Sequence, residues 1–205
     1  MDTKEIQKAT ETLKAMFGFF NRKYFDSKLT EPVITIQSDP KRKTYGWFTT
    51  YKAWHDDETK GSNYEINVTA ETLNRPIEDI GATMLHEMIH LHCQENNIKD
   101  TSRNGSYHNS KFKEEAEKHG LIVSYDSKIG WSPSKLADKT DMEKFSRITI
   151  RRIIPDKASK AKKPSYKHTC RECGAIARTT KKLVLICGEC YREDGPILYM
   201  DVEEC

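Results

Sequence analysis

The sequence predicts an α+β fold: a small antiparallel sheet, one long site-bearing helix, and a separate cysteine-held unit at the end. Three observations predict it. Two long amphipathic stretches, separated by three short β-branched or aromatic segments, lie ahead of residue 96. A histidine pair at helical spacing, His86 and His90, sits inside the second stretch. Two CxxC pairs close the chain after a basic, apolar-poor segment.

The first helix is expected over residues 3–24, where Ile6, Leu13, Met16, Phe17, Phe20 and Tyr24 recur mostly three and four apart. Strands are expected at Val33–Ile36, Thr44–Tyr51 and Glu65–Thr69, with a polar loop over 52–64. Pro76 opens the long helix, which runs from Ile77 to Glu95 behind the apolar face of Ile77, Ile80, Met84, Leu85, Met88 and Leu91. A polar loop over 96–107 leads to a third helix, Asn109–His119, with Gly120 as its left-handed cap. Beyond residue 126 the apolar content thins, and 157–164 reads as a flexible basic linker. The organisation expected is a main domain at 1–130, a basic joint at 131–164 and a cysteine unit at 165–205.

At 205 residues, the chain has room for one domain and a small appendage. Its 32% charged and 36% hydrophobic residues allow one modest core. No apolar run approaches the roughly 18 residues of a membrane span. The charged N-terminus lacks a signal-peptide core, so a cytoplasmic protein without membrane contact is expected: nucleoid-associated in a bacterium, in the host cytoplasm if viral. The net charge of +3 is unevenly spread, because residues 139–182 alone hold 14 Lys/Arg against 4 Asp/Glu. Arg147, Arg151, Arg152, Lys157, Lys160, Lys162 and Lys163 are candidates for contact with a nucleic-acid backbone. The alternative is a solvated linker.

His86-Glu87-Met88-Ile89-His90 is an HExxH motif. Residues four apart share one helix face, so both imidazoles can reach one zinc ion. Glu87 stands beside such an ion rather than on it, where it can act as general base toward an activated water. A catalytic zinc takes a third protein ligand. Glu114, Glu115, Glu117, His108 and His119 all qualify by position. His92 points elsewhere, His55 and His168 read as ordinary polar residues, and Cys93 reads as a small core residue. Cys170-x-x-Cys173 and Cys187-x-x-Cys190, thirteen residues apart, make two knuckles that together suit a structural zinc held by four thiolates. Gly174 and Gly188 ease their turns, Val184–Ile186 reads as a hairpin strand, and Cys205 is terminal. Two zinc ions, one catalytic and one structural, are expected.

Larger patterns resemble a known family. Asn21-x-x-Tyr24-Phe25-x-x-x-Leu29, Tyr45-Gly46-Trp47-Phe48, Glu65-Ile66-Asn67-Val68 with Leu73–Pro76, the HExxH helix and His108-Asn109-x-x-Phe112 resemble, in order, the segments of SprT-like zinc metallopeptidases over about residues 3–122. The resemblance implies a zincin-like metallopeptidase domain, a C-terminal zinc ribbon, and His108 as third ligand. It further implies peptide-bond hydrolysis on DNA-associated or DNA-crosslinked proteins, with a protein substrate and DNA as partner. Asn109 stands where the family usually has Gly, and Asn tolerates the left-handed backbone that a Gly there would supply. The rival reading is a nucleic-acid-binding zinc protein that keeps the peptidase fold as a scaffold; the intact Glu87 speaks against it.

Overall fold

The structure, a computed structural model, describes residues 3–38, 44–153 and 165–204. It falls into two compact units, Met1–Ile154 and Pro155–Cys205.

In the first unit, α1 (Thr3–Tyr24) buries Leu13, Met16 and Phe20, while Ile6 stays on its solvent side. Three strands follow: β1 (Val33–Thr35), β2 (Gly46–Phe48) and, beyond a small hairpin of β3 (Trp54–His55) and β4 (Ser62–Asn63), β5 (Glu65–Val68). The main sheet has the order β1-β5-β2. It is mixed rather than antiparallel: β2 runs antiparallel to β5, but β1 runs parallel to it. The long connection from β1 to β5 is what allows a parallel pairing, since a tight turn joins only antiparallel neighbours. All four residues of β5 are buried, as befits a central strand covered on both faces. Its polar oxygens find partners, though the buried Asn67 amide nitrogen does not: the Thr35 hydroxyl lies 2.9 Å from both Glu65 and Asn67, and the Trp54 indole N–H donates to Glu65 at 2.6 Å.

α2 (Ile77–Glu95) packs on α1, on β5 and β2, and on α3 (Ser110–Lys118). Ile80, Met84, Leu85, Met88, Ile89 and Leu91 are wholly buried on it. Each such side chain contributes about 1.5–3 kcal/mol relative to exposure, so α2 is firmly held and a rigid carrier for whatever its remaining face presents. Between α2 and α3 lies a second small hairpin, β6 (Thr101–Ser102) and β7 (Tyr107–His108). After α3 the chain turns at Gly120 (φ +90°) into β8 (Leu121–Val123), which pairs with β9 (Ser134–Leu136). The unit continues past residue 130, because Leu136, Met142 and Ile148 are buried in its core. Arg152 is tied back by its N–H to the Ala70 carbonyl.

The second unit is a three-stranded antiparallel sheet in the order β11-β10-β12: β10 (Tyr166–Thr169), β11 (Ile176–Thr179) and β12 (Asp201–Glu204). Val184–Ile186 does not form a strand; only an isolated bridge, Ile186 to Tyr199, is made there. Leu183 and Val184 remain exposed, so no burial holds them extended. His168, read from sequence as an ordinary polar residue, is fully buried on the central strand, with Nε2 3.0 Å from the Thr179 hydroxyl.

Candidate active site

α2 presents His86 and His90 one turn apart on the face that its apolar residues leave free. His108 arrives from β7, just before α3. Its position is fixed by the backbone: its N–H donates to the Ile129 carbonyl at 3.0 Å and its carbonyl accepts from Trp131 N–H at 3.1 Å. Asn109 caps α3, its side-chain oxygen accepting from Lys111 and Phe112 N–H at 2.8 and 3.3 Å. Its φ is −89°, so this residue is an extended N-cap and not a left-handed turn. Asn therefore serves here through its side chain rather than through backbone tolerance.

The His108 Nε2 stands 3.1 Å from Nε2 of both His86 and His90. Each ring is anchored through its other nitrogen. His90 Nδ1 lies 2.5 Å from the Asp100 carboxylate, and His108 Nδ1 lies 3.2 Å from the Ile129 carbonyl, an obligatory acceptor. His86 Nδ1 lies 2.8 Å from the Ser134 hydroxyl, whose own proton goes to the Ser132 carbonyl. All three acceptors thus place the proton on Nδ1, and the neutral rings turn three Nε2 lone pairs toward one point. Lone pairs facing at this distance repel unless a positive charge stands among them, either a metal cation or a proton on one ring. Nitrogens about 2.0–2.1 Å from a tetrahedral zinc stand roughly 3.3 Å apart, so the spacing fits such an ion. Phe112 supports the cluster from beneath, with its ring centroid 4.6, 4.9 and 4.6 Å from those of His86, His90 and His108.

Burial, reinforced by the neighbouring histidines, holds His86 well below its ordinary pKa. Burial likewise brings His108 down to about 4. Burial also acts downward on His90, but the Asp100 hydrogen bond and the charges of Glu87 and Asp100 outweigh it and lift the ring above its ordinary value.

Glu87 is 6% exposed, and burial pushes its carboxyl up to about 7 against the opposing pull of His90. It abuts the start of β2. A Cβ at Gly46 would stand 2.7 Å from the Asn67 carbonyl oxygen, 3.0 Å from Thr83 Cγ2 and 3.3 Å from Glu87 Oε1. Only glycine lets β2 lie this close to both its neighbour strand and the helix. β2 is an edge of its sheet. Thr49 N–H and the Tyr45 carbonyl pair inward with the β5 segment, so by alternation the backbone groups of Gly46 and Phe48 face away from β5, where the Phe48 N–H donates to the Glu87 carboxylate.

Among the other third-ligand candidates, Glu114 and Glu117 are exposed and paired with Lys111 and Lys113. Glu115 and His119 turn toward His92 instead. His55 is exposed beside Ser62, and Cys93 is buried. Asp100, Ser134, Gly46 and Phe112 complete the site. Of these, only Gly46 and Phe112 fall within a sequence motif, and the motif alone assigns neither of them a place in the site.

In the C-terminal unit the four cysteines are unbridged, and their sulfurs lie within 4.8 Å of one another. Cys173 and Cys187 stand 3.5 Å apart, Cys170 and Cys190 3.9 Å. Sulfurs about 2.3 Å from a tetrahedral zinc stand roughly 3.8 Å apart. The backbone N–H groups of Cys173 and Glu172 hold the Cys170 thiol down to about 7, while the neighbouring sulfurs push Cys190 up. Four sulfurs at this spacing could hold a metal ion. Arg147, Arg151 and Arg152 are exposed; Lys157, Lys160, Lys162 and Lys163 lie outside the described residues, as does Cys205. No helix among the described residues is long and apolar enough to cross a membrane.

A mixed α/β domain with a helix-borne histidine pair, a third imidazole and an adjoining carboxylate has the build of a metallopeptidase-like domain. The model of the SprT-like family matches residues 13–128, and the chain belongs to that family. No curated protein and no solved structure matches the chain.

Proposed function

We propose that the protein is a zinc-dependent endopeptidase of zincin-like build, acting on proteins bound or crosslinked to DNA. One observation carries the reading: three Nε2 lone pairs converge, His108's 3.1 Å from each of the other two, beside a buried carboxylate that none of them needs as a partner. His86, His90 and His108 would hold the ion, and zinc bound there supplies Lewis acidity that polarises a carbonyl and acidifies water. Asp100, Ser134 and the Ile129 carbonyl hold the rings in the ligating tautomer. Glu87 takes a proton from the attacking water and returns it to the leaving amine. A carboxyl held near neutrality by burial suits both halves of that task. The Phe48 N–H is taken by Glu87, but the outward Gly46 backbone groups and the Phe48 carbonyl of β2 suit an extended peptide laid along the edge.

The four cysteines would hold a second, structural zinc, making the C-terminal unit a zinc ribbon. A unit this small gains its folding energy largely from the metal. The exposed Arg147, Arg151 and Arg152, in the most basic stretch of the chain, support contact with DNA phosphates. The test compares wild type with Glu87→Gln for cleavage of a DNA-bound protein, with and without DNA, alongside zinc per chain. Loss of cleavage with zinc retained supports the peptidase. Equal behaviour of the two proteins supports a nucleic-acid-binding scaffold instead.

A further inference from the structure

Three potential ligands left unused by the first site converge on a second point. His92 leaves α2 on a different side from His86 and His90. Glu115 and His119 stand four apart at the end of α3, the same spacing that brings His86 and His90 together. One ring nitrogen of each histidine and a Glu115 carboxylate oxygen lie within 4.8 Å of one another. His92 Nε2 is 3.3 Å and His119 Nδ1 3.6 Å from Glu115 Oε2, close to the ligand spacing of a tetrahedral ion. The rings of His92 and His119 sit 4.7 Å apart between centroids, and both pack against Phe25, which stacks flat on His119 at 4.5 Å.

One feature points to a ligand rather than to a simple ion pair. Glu115 Oε2 is buried and no well-aligned hydrogen bond reaches it, although three nitrogens surround it, the nearest being His92 Nε2 at 3.3 Å. The third is the Lys118 ammonium at 3.7 Å, on a side chain 67% exposed and free to swing into solvent. A buried carboxylate oxygen whose donors are all poorly aligned is destabilising. A cation at the centre of the trio would satisfy it, and the two imidazoles with it.

We propose that His92, Glu115 and His119 form a second-site trap for a divalent transition metal of borderline softness, Zn2+ or Co2+, on the flank of the catalytic helix. Two imidazoles and one carboxylate select such ions over Ca2+ or Mg2+, which prefer all-oxygen shells. Ligation through His119 Nδ1 gives up its 2.8 Å bond to the Glu115 carbonyl, which keeps the His119 backbone N–H at 3.1 Å. Ligation through His92 Nε2 puts that ring's proton on Nδ1, so the exposed Asn96 amide nitrogen gives up its 3.3 Å contact there and keeps its 2.9 Å bond to the His92 carbonyl. The metal then ties α2 to α3, the helix that begins two residues after His108, and so braces the catalytic trio from outside it.

The experiment is a count of bound Zn2+ per chain after equilibrium dialysis of the full-length protein. It is made for wild type, Glu115→Gln, His92→Ala, His108→Ala and the Glu115→Gln/His108→Ala double variant, with circular dichroism as the folding check. Glu115→Gln keeps shape and size, so it guards against a His92→Ala variant that fails to fold. The expected result is one ion fewer in Glu115→Gln than in wild type, matched by His92→Ala. His108→Ala loses a different ion, so the losses in His108→Ala and in Glu115→Gln add in the double variant. This keeps failure of the second site distinct from failure of the catalytic reading. A folded Glu115→Gln that binds as many ions as wild type overturns the proposal.

Discussion

Removing the Asp100 carboxylate isolates the part of the site that spacing rules do not supply. The acceptor stands 2.5 Å from His90 Nδ1, and the two side chains are only 13% and 14% exposed, so solvent screens their interaction little. A hydrogen bond to a charged group is worth roughly 1.5–3 kcal/mol. Loss of such a partner behind a metal-ligating histidine costs roughly 10–100-fold in metal affinity, which at about 1.4 kcal/mol per decade is the same range. Asp100→Ala should therefore weaken zinc at the histidine site by one to two decades. Ser134→Ala removes a neutral acceptor from His86 and should cost less, up to about tenfold. The Asp100 backbone carbonyl still accepts from Asn109 N–H in the variant, so the cap of α3 survives. The assay is zinc competition against a chromophoric chelator, with the untouched cysteine cluster as internal reference. The reasoning fails if Asp100→Ala holds zinc as tightly as wild type, or if Ser134→Ala loses more.

Other outcomes follow from the same geometry. Gly46→Ala places a methyl 2.7 Å from the Asn67 carbonyl and against Glu87; it should cost about 1–3 kcal/mol by chemical denaturation and lower turnover more than metal content. Phe112→Ala opens a cavity beneath all three imidazoles and should cost about 3–5 kcal/mol by the same measurement. Hydrogen bonds from Thr140, with Lys23 adding to them, hold the Asp138 carboxyl down to about 2. Because the folded pKa lies below the unfolded value, this contribution is present above about pH 4 and disappears as pH falls toward about 2. The Tm difference between wild type and Asp138→Asn, followed down that acid range, should shrink over the interval. Chelation should collapse the near-ultraviolet signal of the cysteine unit while leaving the far-ultraviolet signal of α1 and α2 in place, because α1 and α2 bury an apolar core and the cysteine unit does not.

The helices are legible in the sequence because their signals are local. Apolar periodicity and Pro76 mark α2 at Ile77–Glu95, and the His86/His90 pair needs only the helical repeat to face one point. Periodicity does not settle the third imidazole. His108, Glu115 and His119 lie on one face of the same segment, and only the order of motifs singles out His108. What separates them is a tertiary matter: β7 is pinned to residues 129–131, which drops His108 over α2, while the far end of α3 carries Glu115 and His119 to His92. Asp100 and Ser134 carry no spacing signal, since they reach the site from a loop and a strand that meet it only in the fold. The mixed sheet is hidden for a related reason: strand direction is set by which segments pair, and β1 pairs with β5 across the intervening β2. Asn109 stands at the start of its helix, as the sequence suggests, but for a different physical reason, side-chain capping instead of a left-handed backbone.

The central claim is that three imidazoles are held apart for a cation, next to a carboxylate that remains free. Anomalous diffraction at the zinc edge from crystals of the metal-loaded full-length protein tests it most directly. The account predicts a peak about 2.0–2.1 Å from Nε2 of His86, His90 and His108 together, with Glu87 unligated. A peak among the four cysteines with none at the histidines, or an ion seated on the Glu87 carboxylate, would contradict it.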